Sequence, residues 1–129
     1  MNAITLTEVV KSFGSVRALD GLSLAIPQGT IYGILGPNGA GKTTAIRLIA
    51  GLLEVDKGKI ELLGEQPGSA TSLMNIGYMP QTVALYDELT VRENVAFFAA
   101  CYGQEHRNAV DKTVEFVGLS DRSGSQVRS

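Results

Sequence analysis

Gly36-Pro37-Asn38-Gly39-Ala40-Gly41-Lys42-Thr43-Thr44 is the stretch that decides the fold. It matches the phosphate-binding loop G-x-x-x-x-G-K-[ST] at every required position. An apolar run over 31–35 precedes it, and an apolar-periodic segment over 46–53 follows. The order is therefore strand, glycine-rich loop, helix. Glycines let successive backbone N–H groups turn inward around an anion, and the helix that follows points its positive end at the same place. Gly36, Gly39 and Gly41 give the backbone its freedom, with Pro37, Asn38 and Ala40 between them. Lys42 is the point charge for the β- and γ-phosphates. The Thr43 hydroxyl is a ligand for Mg²⁺, a cation that takes oxygen donors. Thr44 adds a hydroxyl and an N–H at the helix start. A plain glycine turn would have no use for Lys-Thr at that offset. A dinucleotide-binding loop would need a third glycine where this sequence has Lys-Thr-Thr.

The rest of the composition sets bounds. A chain of 129 residues with 44% hydrophobic content builds an ordinary domain core. A net charge of −2 leaves no electrostatic footprint for nucleic acid, so none is expected as a partner. The one cysteine, Cys101, sits in an apolar segment and reads as a small buried hydrophobe. No run reaches the ~18 apolar residues of a membrane span. The start, Met1-Asn2-Ala3-Ile4-Thr5, has no basic-then-apolar pattern, so no signal peptide is expected.

Period-2 patterning predicts strands over 4–10, with Ile4, Leu6 and Val9 on one side, and over 18–26, with a turn over 11–17 around Phe13. Further strands are predicted over 30–35, 59–63 and 76–79. A helix is predicted over 42–53, burying Ile46, Ile49, Ala50 and Leu53. Thr90-Val91-Arg92-Glu93 is a capping box that opens a helix running to Gly103. Another helix is expected over 108–117 with Val110, Val114 and Val117 on one face. The stretch 120–129 shows no apolar period and reads as loop or frayed end. His106, the one histidine, falls in a polar turn between helices and reads as a solvated surface residue.

Two further markers flank the loop. Phe13 lies in Lys11-Ser12-Phe13-Gly14-Ser15-Val16 upstream, and Gln81 ends Ile76-Gly77-Tyr78-Met79-Pro80-Gln81 downstream. In order and spacing, and with Leu89-Thr90-Val91-Arg92-Glu93-Asn94, the chain resembles the nucleotide-binding subunit of ATP-binding cassette (ABC) transporters. The resemblance covers nearly the whole chain. It implies an α/β phosphate-loop NTPase fold, here an N-terminal portion: an antiparallel β subdomain, the phosphate-loop strand and helix, and the start of the helical subdomain. All of 1–129 is then the N-terminal part of one ABC-type ATP-binding domain. The resemblance assigns ATP and Mg²⁺ as cofactors and Phe13 as the aromatic that stacks on adenine. The family usually has Tyr there, and Phe keeps the π-face. Gln81 is assigned to approach Mg²⁺ and the attacking water, so Lys42 and Gln81 are the candidate catalytic residues and Thr43 and Gln81 the candidate metal residues. Region 82–90, with Leu85 and Tyr86, falls where the family docks its transmembrane permease. A second ATP-binding subunit would complete a dimer, placing the protein in the cytoplasm against the inner face of the cell membrane. Similarity over 83–103 to drug-export members points to an exporter.

The sequence departs from the family pattern in what these residues do not contain. No Leu-Ser-Gly-Gly-Gln signature, no apolar strand ending in Asp-Glu and no switch histidine occurs among them. Ser123-Gly124-Ser125-Gln126 lacks the paired glycines of the signature. Phosphoryl transfer to water needs charge neutralisation and a positioned nucleophile; Lys42, Thr43 and the loop amides supply only the first. The chain alone is expected to hold ATP and to hydrolyse it poorly. The family sheet runs strands between 30–35 and 76–79, and parallel strands tolerate exposure badly, so the isolated chain is expected to be marginal. The alternatives are a non-transport ABC ATPase fragment or an inactive truncated gene product. A GTPase would need Asn-Lys-x-Asp, which is absent.

Overall fold

A computed structural model describes the chain except for residues 83, 105 and 129 and the side chain of residue 107. Two compact units divide it, Met1–Tyr78 and Met79–Ser129.

The first unit is built on β1 (Asn2–Phe13), β2 (Val16–Pro27) and β3 (Lys57–Leu62), an antiparallel sheet in the order β2-β1-β3. The hairpin between β1 and β2 is tighter than the predicted turn over 11–17. Pairing continues to Phe13 opposite Val16, leaving only Gly14 and Ser15 at the tip. A bulge explains how Leu6 and Val9, three residues apart, both face the core. The register slips between them, and Glu8 takes the extra place at φ 49°. The bulge is held by its own polar pair: the Glu8 N–H donates to Ser23 Oγ at 3.0 Å, and that hydroxyl donates to the Glu8 carboxylate at 2.9 Å.

One helix, α1 (Lys42–Ile49), covers this sheet. Its buried residues are Ala45 and Leu48, which join Leu6, Val9, Leu19 and Ile60 in one cluster, with Ile49 and Leu53 at its margin. Of the predicted face, Ala50 is buried and Ile49 and Leu53 pack at the margin of the core, while Ile46 is exposed and Ala45 and Leu48 point inward instead. The helix also stops four residues short of the predicted end, at a turn through Gly51 (φ 72°). A one-turn helix α2 (Ala70–Leu73), which the sequence pattern missed, starts at Ser69, whose hydroxyl accepts from the Ser72 N–H at 3.1 Å.

Two predicted strands do not form. Residues 30–35 and 76–79 carry no strand pairing. Ile31 and Leu35 are fully exposed, at 105% and 94%, and Met79 stands at 91%. Their apolar character was read correctly. A strand also needs a neighbour to accept its hydrogen bonds, and no described strand lies beside either segment.

The second unit contains α3 (Val91–Cys101) and α4 (Arg107–Phe116). Val110 and Val114 are buried as predicted, while Val117 is exposed just past the helix end. Arg92 bridges the two helices to Asp111 at 2.7 Å. The predicted capping box forms in full: the Thr90 hydroxyl accepts from the Glu93 N–H, and the Glu93 carboxylate accepts from the Thr90 N–H at 2.8 Å. Hydrogen bonds from the cap and the amide pull the Glu93 carboxyl below its usual value.

The described part of 120–129 is not frayed. After a 3-10 turn, Ser120–Arg122, it returns across the start of α3. The Ser125 and Ser123 carbonyls accept from the N–H groups of Val91 and Arg92, both at 3.0 Å. Those are two of the four N–H groups that every helix start leaves without an internal partner. Backbone capping of this kind has no side-chain pattern, so the sequence could not announce it. Cys101 corrects another expectation: it is exposed at the end of α3 and not buried.

Candidate functional site

The loop 36–44 runs exposed over 36–40 into the first turn of α1. A turn closes its first half, with the Ala40 N–H donating to the Pro37 carbonyl at 3.2 Å. Gly39 and Gly41 then take φ 85° and 84°, the left-handed region. At Gly41 the reason is also contact. A β-carbon there would lie 2.4 Å from the Ala18 carbonyl oxygen and 2.7 Å from Leu19 Cδ2. The hairpin strand β2 thus presses on the loop where it becomes helix.

Gly41 is the N-cap of α1 and offers no side chain to it; no acidic residue lies in the first turn. The helix start therefore keeps its N–H groups and positive dipole end for an anion. Lys42 extends back over the loop, its Nζ donating to the Gly36 and Pro37 carbonyls at 2.6 Å each. Those bonds use two of the three ammonium donors. The fit to a polyphosphate rests on this arrangement: a glycine bend with left-handed turns at Gly39 and Gly41, no room for a β-carbon at Gly41, a helix start without a side-chain cap, and the Lys42 ammonium folded onto the loop. Thr43 is exposed on the first turn and Thr44 half-buried beside it. Among the described residues no group of His, Cys, Asp or Glu is arranged to hold a metal. Hydroxyls such as those of Thr43 and Thr44 are oxygen donors of the kind a hard cation takes.

Phe13 lies at the hairpin tip of the same unit, about half exposed. Its strand is tied to the loop by register, because Lys11 pairs with Leu19, and Leu19 is the residue that meets Gly41. Gln81 belongs to the second unit, exposed in a bend before α3. Within the second unit, Leu85 and Tyr86 are exposed as expected for 82–90; Val83 falls outside the described residues. Tyr86 stacks edge-on against Phe97 at 4.9 Å, and its backbone N–H and carbonyl are both held by Asn94, at 2.8 and 3.0 Å. His106 is exposed between α3 and α4, as the sequence implied.

A family model described as "ABC transporter" matches residues 19–129. The chain belongs to the ABC transporter family. Among curated ABC proteins it is 41% identical over 118 residues to the bacitracin transport ATP-binding protein BcrA of Bacillus licheniformis, covering 90% of this chain and 39% of that one. It is 39% identical over 130 residues to the Nod factor export ATP-binding protein I of Rhizobium sp. (strain N33), covering 97% and 43%. Against the daunorubicin resistance ATP-binding protein DrrA3 of Streptomyces coeruleorubidus the identity is 38% over 131 residues, covering 98% and 42%. The chain thus spans about 40% of the length of these relatives. Among solved structures, the ADP conformation of MJ1267, an ATP-binding cassette of an ABC transporter, matches with a TM-score of 0.84 at 28% identity, over 100% of this chain and 59% of that one. A nucleotide-free ATP-binding cassette from an ABC transporter matches with a TM-score of 0.81 at 28% identity over the same shares. The fold is therefore that of part of an ABC ATPase. Among the described residues no helix is long and apolar enough to cross a membrane.

Proposed function

We propose that this chain carries the nucleotide-holding part of an ATP-binding subunit that energises a membrane transporter of the export type. The observation that carries it is the loop 36–44: Gly41 pressed against β2, an uncapped helix start and Lys42 Nζ on two loop carbonyls. Gly36, Pro37, Asn38, Gly39, Ala40 and Gly41 present the backbone to the phosphates. Lys42 supplies the positive charge, Thr43 the metal-facing hydroxyl and Thr44 a second polar group. Phe13 offers its ring to the adenine. Mg²⁺, when bound with ATP, neutralises charge on the phosphate oxygens. The family resemblance and position in the sequence support a role for Gln81 toward the metal and the attacking water.

The names of three relatives support the export reading, since they concern bacitracin transport, Nod factor export and daunorubicin resistance. Region 82–90 is proposed to meet a transmembrane permease, and a second ATP-binding subunit to complete the working dimer at the inner face of the membrane. The residues in hand supply charge neutralisation without a general base, so the 129-residue chain is proposed to bind Mg-ATP and to turn it over poorly.

The test is equilibrium binding of a fluorescent ATP analogue at millimolar magnesium. Lys42→Ala is expected to weaken binding by about tenfold or more, the cost of losing a charge-assisted contact to phosphate. Equal affinity of variant and parent would end this reading. Steady-state hydrolysis dependent on Lys42 would overturn the statement about turnover.

A further inference from the structure

The tip of the β1–β2 hairpin is held by a residue from a different part of the chain. Asp56 lies between α1 and β3, and its carboxylate accepts from Lys11 Nζ at 2.8 Å and from the Ser12 N–H at 2.7 Å. Its own N–H donates to the Val10 carbonyl at 3.0 Å. Three consecutive residues before Phe13 are thus fixed to one aspartate. The Lys11 ammonium in turn stands 5.7 Å from the centre of the Phe13 ring, within the range of a cation–π contact. The Lys11 side chain is only 15% exposed, against 49% for Phe13. The ammonium is therefore confined between carboxylate and ring, while half of the aromatic surface stays open.

Such an ion pair contributes little to stability. Its geometric consequence is larger. Phe13 is the last paired residue before a two-residue tip, a place where strands fray. Fixing the backbone at Val10 and Ser12 and setting a cation beside the ring removes freedom that a stacking partner would otherwise have to remove on binding.

We infer that Lys11 and Asp56 are positioning residues for the base-binding platform at Phe13, so that they govern affinity for the nucleobase end of a nucleotide and not for its phosphate tail. This inference rests on the proposed role of Phe13.

The experiment compares two probes on the 129-residue chain, ATP and inorganic tripolyphosphate, each by calorimetry with magnesium. Phe13→Ala, Asp56→Ala and Lys11→Met are measured beside Lys42→Ala. Lys11→Met keeps the apolar stem, so it reads the loss of charge without a hole in the packing. The expected result is that Asp56→Ala and Lys11→Met weaken ATP by about three- to tenfold and leave tripolyphosphate within about twofold, following Phe13→Ala in the same direction. Lys42→Ala weakens both probes. If Phe13→Ala weakens ATP while the Lys11 and Asp56 variants do not, the inference is overturned and the platform reading stands. Should Phe13→Ala leave ATP unchanged, the platform and the inference fall together. A parallel loss of both probes in the Asp56 and Lys11 variants would show general damage to the unit and also overturn the inference.

Discussion

Gly41 shows how one residue joins the sheet to the phosphate loop. Its φ of 84° disfavours any side chain, and Ala18 and Leu19 occupy the space a β-carbon would need. Gly41→Ala combines left-handed strain with a backbone clash and is expected to lower the unfolding free energy by about 2–4 kcal/mol in urea titration. Gly58 is its counterpart away from the loop: at φ 86°, a β-carbon would come within 2.3 Å of the Glu8 carbonyl oxygen. Gly58→Ala should cost a similar amount, since it would push the bulge off β3. A neutral result at either position would mean that the strands separate readily there. The motif marks Gly41 from sequence, because its spacing to Lys42 is part of the phosphate-loop pattern. Nothing in the sequence marks Gly58 apart from other turn glycines; its need arises only when β3 lies beside the bulge.

At the scale of elements, α3 is the best determined piece. The capping box was legible because its two side chains are three residues apart and act locally. The Glu93 carboxyl is held below its ordinary value by the Thr90 N–H and hydroxyl. A depressed folded value means stabilisation that is complete above the unfolded value and is lost as pH falls through the folded one. The start of α3 should accordingly loosen on acidification below the usual carboxylate range. Glu93→Gln should flatten that dependence in a helicity titration by circular dichroism, and an unchanged acid transition in the variant would contradict it. Asn94 was not legible. Buried in α3, its side chain bonds Tyr86 on both backbone atoms and the Thr90 carbonyl at 3.1 Å. Asn94→Ala would leave those groups unpaired and is expected to cost about 1–3 kcal/mol in urea unfolding. An amide in a helix reads as a solvated side chain until the preceding turn is folded onto it.

At the scale of the whole molecule, the apolar segments 30–35 and 76–79 have no strand beside them among the described residues. Exposed extended apolar segments invite association between copies. Replacing Ile31 and Leu35 together by Lys should raise the monomer fraction in sedimentation velocity, while stability changes by no more than about 0.5 kcal/mol, as for exposed sites generally. A large loss of stability would show that those side chains are buried in solution.

The amino-acid sequence determined what depends on neighbours within a few positions: the glycine-lysine-threonine loop, the capping box, the polar surface place of His106 and the apolar period of each strand. Turn chemistry and caps are short-range, so their letters carry their geometry. The tertiary structure decided what depends on a distant partner. It set which apolar runs become paired strands, that Leu48 and not Ile46 enters the core, how 120–128 caps α3 and how Asp56 reaches the hairpin. Strand pairing and backbone capping are satisfied by main-chain atoms that every residue shares, and only the folded chain selects which of them meet.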